Sequence, residues 1–154
     1  MPQEHLKNLI QISASLSEAT HEHYKKAGLT YADVPEIVGI TGACENVDTL
    51  FRIGNRLGLP LFMTQTGQLA LEHALQYFPG VYTIIHSGRD EEIEDERHLR
   101  QFRLTEEEFD WTFVDKNLNR YDEDKMYEAL LEHIESAVKY IARKTVSDNI
   151  QIFE

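Results

Sequence analysis

The chain has 154 residues, enough for one ordinary domain with a real core. Hydrophobic residues make up 42% and no apolar run approaches the length of a membrane helix, which argues against a membrane partner. A net charge of −12 argues against a protein that grips nucleic acid over a broad surface, because phosphate contacts need clustered Lys and Arg.

The N-terminus, MPQEHLKNLI, lacks the basic start and apolar stretch of a signal peptide, so a cytoplasmic location is expected. Leu6, Leu9, Ile10 and Leu16 recur at helical spacing, and Tyr24 extends the same face. Gly28, after Lys25 and Lys26, is positioned to stop that helix, with cations suited to its C-terminal end. The following stretch YADVPEIVGITGACE reads as extended, and Pro35 within it suits an edge strand or a strand start. Its lone cysteine, Cys44, excludes a disulfide framework and a cysteine-based zinc site.

Gly54, Gly58 and Pro60 mark turns before a short apolar run, Leu61-Phe62-Met63. GQLALEHALQYF reads as a helix stopped by Pro79-Gly80. VYTIIH and HLRQFRLT read as strands, with Ile84–Arg89 expected to pair antiparallel with Leu99–Glu106. Asp122 is placed to cap a final helix, along which Met126, Leu130, Ile134, Val138 and Ile141 form a stripe. Acids open that helix and Lys139, Arg143 and Lys144 close it, in keeping with the helix dipole. No internal repeat or linker divides the chain, so residues 1–154 are expected to form one α+β domain. Its sheet should be largely antiparallel and flanked by helices.

The chemistry concentrates in IIHSGRDEEIEDERHLRQFRLTEEE, residues 84–108. Two β-prone segments flank a loop crowded with acids, with Arg89 and Arg97 at its two ends; a plain hairpin needs only a two-residue turn. Arg89 ends a strand expected to be buried, where a cation is costly unless it meets an anion. That anion is either one of the nearby acids or a phosphate, which the guanidinium fork suits. Arg97 and His98 would face the same anion, and Phe102 is either core or a stacking platform. The acidic loop lacks the glycine and spacing of an EF-hand, and His21 and His23 point to different helix faces, so no metal site is expected.

These segments resemble the catalytic domain of class II aminoacyl-tRNA synthetases of the aspartate/asparagine subgroup, the asparagine enzymes in particular. Arg89-x-Glu91 opening a loop, and Arg97-His98-Leu99 ending it, look like that family's second signature motif, followed by Phe102, Glu106 and Glu108. MTQTGQLALE resembles the Ser-Gly-Gln-Leu-x-Leu-Glu segment of the asparagine enzymes, and TGACEN resembles a Cys-Glu-Gly segment. The first helix and the Pro35 segment look like the first motif, which builds the family's dimer interface.

The resemblance implies ATP, with magnesium, as the activating cosubstrate. It makes Arg89 the catalytic residue, holding the α-phosphate as the amino-acid carboxylate attacks. Glu91, Arg97 and His98 would position the nucleotide and Phe102 would stack on adenine. Glu45 would receive the α-ammonium group, while Gln68, Leu71 and Glu72 would line the side-chain pocket. Aspartate enzymes carry a lysine where this chain has Leu71, so the pocket favours the neutral amide of asparagine.

A homodimer through the first helix and the Pro35 segment is implied as well. The third motif, with a second ATP-clamping arginine and the acids that bind magnesium, would lie beyond the last helix. The resemblance therefore covers a partial catalytic core, to be completed by a partner chain. Gly88 stands where the family usually has an aromatic, Asn46 where it has glycine, and Gln101 where it has glutamate. The charge of −12 and the missing anticodon-binding segment count against independent tRNA binding. Three functional readings stay open from sequence: an adenylate-forming synthetase relative, a non-catalytic amino-acid- or nucleotide-binding module with a regulatory dimer, and an amide-forming relative of asparagine synthetase.

Overall fold

The computed structural model describes residues 3–40, 46–93, 95, 98–114, 116–117 and 122–153. It resolves into two compact units, residues 30–110 and a discontinuous unit formed by residues 1–29 with 111–154.

The discontinuous unit is helical. Helix α1 (Gln3–Lys26) ends as the sequence predicts: Gly28 takes a φ of +88°, which an L side chain resists. The Gly28 N–H donates to the Lys25 carbonyl at 3.0 Å and the Leu29 N–H to the Tyr24 carbonyl at 2.9 Å, so a Schellman motif closes the helix. A short helix α3 (Trp111–Val114) follows in sequence after the sheet unit. The long helix α4 (Glu123–Asp148) is capped by Asp122, whose carboxylate accepts from the Lys125 backbone N–H at 3.2 Å. It runs one turn beyond the cations expected to close it, and Lys144 pairs with Asp148 at 2.5 Å. Helix α5 (Ile150–Phe153) ends the described chain.

Helices α1 and α4 pack antiparallel, since Ser15 meets Asn149 at 2.8 Å while His23 lies against Tyr140 and His133. Apart from Tyr24, their buried positions are small or polar: Ala19, Thr20, His23, Ala137, Thr145 and Asn149. The apolar stripes seen in the sequence fall elsewhere. Leu6, Leu9, Ile10, Leu16, Ile134 and Val138 remain exposed, while Met126, Leu130 and Ile141 are half-buried.

The unit of residues 30–110 holds two three-stranded sheets. In the first, β5 (Gly80–Gly88) is central, with β1 (Thr30–Tyr31) parallel on one side and β6 (Gln101–Phe109) antiparallel on the other. The β5–β6 register runs from Gly80 opposite Phe109 to Gly88 opposite Gln101, longer than the sequence predicts at the far end from the loop. The second sheet is antiparallel, with β4 (Leu61–Met63) between β2 (Ile37–Val38) and β3 (Arg52–Ile53). A 3₁₀ turn over Val47–Thr49 lies in the β2–β3 connection.

Pro35 is in no strand. It sits between β1 and β2, which belong to different sheets, because a residue without an N–H cannot continue the ladder. Helix α2 (Gln68–Ala74) is shorter than its sequence pattern, and the chain continues to Phe78 in tightened turns. It packs on β5 and β6 and buries Leu71 completely. Val81, Tyr82, Thr83, Ile85 and Ser87 of β5 complete the interior.

Candidate functional site

Strand alternation decides which side chains of β5 and β6 can meet. Val81, Thr83, Ile85 and Ser87 lie opposite Glu108, Glu106, Leu104 and Phe102, so these share one face, and α2 packs on the same two strands. Arg89 follows Ser87 on that parity, and its N–H donates to the Arg100 carbonyl at 2.9 Å, carrying the ladder one step past the strand ends.

At this end of the sheet a pocket of about 320 Å³ is lined by Arg89, Glu91, Ile93, His98, Leu99, Arg100 and Phe102. The Arg89 guanidinium lies 5.9 Å from the centre of the Phe102 ring and 3.8 Å from the Glu91 carboxylate. Its side chain is 53% exposed, so the expected buried cation is corrected: the mostly buried β5 ends at Gly88, and Arg89 follows it to line the pocket. Arg100 pairs with Asp90 at 3.1 Å. His98 faces Asp95 through its ring Nδ1 at 2.8 Å, and its N–H donates to the same carboxylate. Among the described residues, acids of the loop thus pair with Arg89, Arg100 and His98.

Gly88 is required by close approach. A Cβ there would meet Met63 Sδ at 2.8 Å, the Arg100 carbonyl at 3.1 Å and Phe51 at 3.1 Å.

A second group lies along the same sheet face. Gln68 donates to Glu72 at 2.8 Å on α2. Glu106 accepts from the Thr66 hydroxyl and from the Gly67 N–H, tying the start of α2 to β6. Burial, reinforced by Glu72, Glu106 and Glu107, pushes the Glu108 carboxyl above the ordinary range. Leu71 is buried behind Gln68 and Glu72.

Of the residues expected at the site, Arg89, Glu91, His98 and Phe102 share the pocket, and Gln68, Leu71 and Glu72 share α2. Glu45 and Arg97 lie outside the described residues. Sequence reasoning missed Arg100, Ile93 and Leu99 as pocket-lining groups, although Arg100 stands two residues before Phe102 and so on its face. Among the described residues no three His, Cys, Asp or Glu side chains converge to hold a metal ion, and no helix is long and apolar enough to cross a membrane.

Comparison with known proteins agrees with this arrangement. The family model for tRNA synthetases class II (D, K and N) matches residues 1–153. The chain belongs to this family.

Among its class II synthetase relatives, an asparagine–tRNA ligase of Koribacter versatilis is 30% identical over 130 residues, covering 84% of this chain and 27% of that protein. An asparagine–tRNA ligase of Sorangium cellulosum is 30% identical over 100 residues, covering 65% of this chain and 22% of that protein. The asparaginyl-tRNA synthetase of Pyrococcus horikoshii, solved with asparaginyl-adenylate, superposes with a TM-score of 0.75 at 24% identity, over 96% of this chain and 31% of that one. The chain therefore spans under a third of the length of these relatives. Over that part it is similar to asparaginyl-tRNA synthetases, and its fold is α+β.

Proposed function

We propose that this chain binds ATP and an amino acid, with asparagine favoured, for aminoacyl-adenylate formation, and that a partner chain completes the site. The observation that carries the reading is the convergence of Arg89, His98 and Phe102 on one pocket at the end of β5 and β6. Its donor set fits a nucleotide: guanidinium for phosphate, an aromatic ring for a base, and Ile93 and Leu99 as apolar walls.

Bound ATP supplies the phosphate at which the amino-acid carboxylate is activated. The protein's part is to bind and orient. Arg89 exchanges Glu91 for phosphate oxygens and offsets negative charge as it develops, an electrostatic role. Phe102 holds the base, and His98 and Glu91 fix the nucleotide's position. Gln68 and Glu72, hydrogen-bonded to each other on α2 beside buried Leu71, would offer an amide side chain acceptors and no cation of their own, which leaves a second carboxylate uncompensated. Magnesium would travel on the nucleotide's phosphates, since hard oxygen ligands suit it. A homodimer covering the apolar face of α1 and the Pro35 segment belongs to the same proposal.

Calorimetry with ATP, asparagine, aspartate and a non-hydrolysable asparaginyl-adenylate analogue tests this. The analogue and asparagine should bind better than aspartate, and Leu71→Lys should reverse that preference. Arg89→Gln should weaken nucleotide binding by roughly 1.5–3 kcal/mol, the range for a hydrogen bond to a charged group. If neither ATP nor the analogue binds at millimolar concentration, with or without a partner chain, the enzyme reading falls and a structural or regulatory module replaces it.

A further inference from the structure

The β5–β6 ladder places two like charges against each other. Gly88 opposite Gln101 is the last strand pair, and one step further Arg89 stands opposite Arg100 with a 2.9 Å backbone bond between them. Like charges at opposed positions destabilise a hairpin unless an anion joins them. Both side chains lie on the Phe102 face, and both line the same 320 Å³ pocket. In a chain of net charge −12, the described residues of that lining carry two guanidiniums against one carboxylate, Glu91.

Each arginine rests on its own acid, Arg89 on Glu91 at 3.8 Å and Arg100 on Asp90 at 3.1 Å. All four side chains are more than a third exposed, and exposed pairs of this kind contribute little to stability. Stability alone is thus a poor reason for the doubled arginine. The Arg89 N–H to Arg100 carbonyl bond joins the two backbones and sets the spacing of the pair, and glycine at 88 leaves room for that carbonyl, which a Cβ would meet at 3.1 Å.

We propose that Arg89 and Arg100 form a two-guanidinium cradle for adjacent phosphates, in which Arg100 leaves Asp90 for the ligand and makes the pocket select a nucleoside polyphosphate over a monophosphate. This deepens the nucleotide-binding reading and rests on it. Arg100 is a specificity-determining contact to the outer phosphates, distinct from the Arg89 contact already assigned. Asp90 is its resting partner and a competitor of the ligand.

Calorimetry on the full chain with ATP and with AMP decides it. Arg100→Gln should weaken ATP by roughly tenfold, the effect of one charge-assisted hydrogen bond at the low end of its range, and leave AMP unchanged. Asp90→Asn should tighten ATP, because the competing carboxylate is gone. A purely structural Arg100–Asp90 clasp predicts the opposite pattern, with both substitutions weakening ATP and AMP alike, and that result overturns the proposal. So does ATP affinity indifferent to Arg100→Gln while wild type binds ATP; the nucleotide-binding reading then stands without it. Should wild type bind neither nucleotide, both fall together. If Arg100→Gln does not fold, Asp90→Asn carries the test, and unchanged or weaker ATP binding overturns the cradle.

Discussion

Apart from Tyr24, no large apolar side chain of the α1/α4 pair is buried, whereas β5 takes Val81, Tyr82 and Ile85 inside. The helices bury Ala19, Thr20, Ala137, Thr145 and Asn149 between them and leave Ile10 and Val138 at 61% and 62% exposure. The sheet buries Leu71, Val81, Tyr82 and Ile85 to within 1% of full burial. Hydrophobic burial is a dominant driving term, so the two regions hold themselves together differently. The interior around β5 is closed, while the helical unit presents an apolar surface that calls for cover, as do Ile40, Leu57 and Tyr77 elsewhere in the unit of residues 30–110. The pocket lies at the end of that closed β5–β6 ladder, where strand pairing sets the spacing of its cations.

The largest test of that contrast adds a charge to the uncovered face. In the proposed homodimer Ile10→Asp should cost roughly 2–4 kcal/mol of self-association, the range of an interface hot spot. It should leave the sheet's own stability unchanged. Sedimentation at micromolar concentration reads it out. A wild-type chain that sediments as a monomer would show that the cover is not a second copy.

The sheet should be the more sensitive region to added volume. A Cβ at Gly67 would meet Thr83 Cγ2 at 2.9 Å, Glu106 Oε2 at 3.0 Å and Val34 Cγ2 at 3.3 Å. Gly67→Ala is expected to lose about 2 kcal/mol of stability, within the usual range for overpacking, and to loosen the start of α2. In the helical unit Gly28→Ala should cost only about 1 kcal/mol, from its positive φ, because the nearest atom of Phe113 stands at an ordinary 3.5 Å. Thermal melts of the two variants should rank in that order. Equal losses would mean that the sheet interior yields as easily as a helix cap.

How far the sequence reveals this molecule also differs between the regions. Signals that act within a few residues were legible: the Gly28 stop, the Asp122 cap, the β-branched run of β5, and the pairing of β5 with β6. Burial was not, because periodicity reports that a helix has an apolar face and cannot say what lies against it. Leu9 and Ile10 read as one apolar face of the first helix, and that face lies exposed. Pro35 read as part of a strand, but the strand pieces on either side join different sheets, a choice made by long-range pairing. Around the pocket, Arg89, Glu91, His98 and Phe102 were found through motif spacing. Arg100 was overlooked because its place opposite Arg89 follows only from a register that sequence leaves free by a residue or two.

The smallest expected effect, and the most informative about the contrast, is the response to pH. In the helical unit exposed carboxylates sit beside cations. Glu22 is lowered by its hydrogen bonds from Lys26 and Tyr140, Asp122 by the Lys125 N–H, and Glu135 by Lys139. A depressed pKa stabilises the fold above the unfolded value, and that contribution is lost as pH falls through the folded one. Glu108 of the sheet has the opposite sign. Burial raises it above 4.5, with Glu72, Glu106 and Glu107 adding to the effect, so the folded state binds a proton that the unfolded chain releases. Its penalty is complete above the folded pKa and disappears as pH falls to 4.5. Through these carboxylates, lowering pH from neutral to about 4.5 should therefore strengthen the sheet, and further acid should weaken the helices. The single tryptophan, Trp111, belongs to the helical unit, so its fluorescence follows that unit, while amide exchange along β5 follows the sheet. Glu108→Gln should raise sheet protection at pH 7 and match wild type below pH 4, as solvent screening keeps the difference modest. Identical protection of the two proteins at both pH values would mean that the Glu108 carboxyl meets enough water to ionise as freely in the fold as outside it.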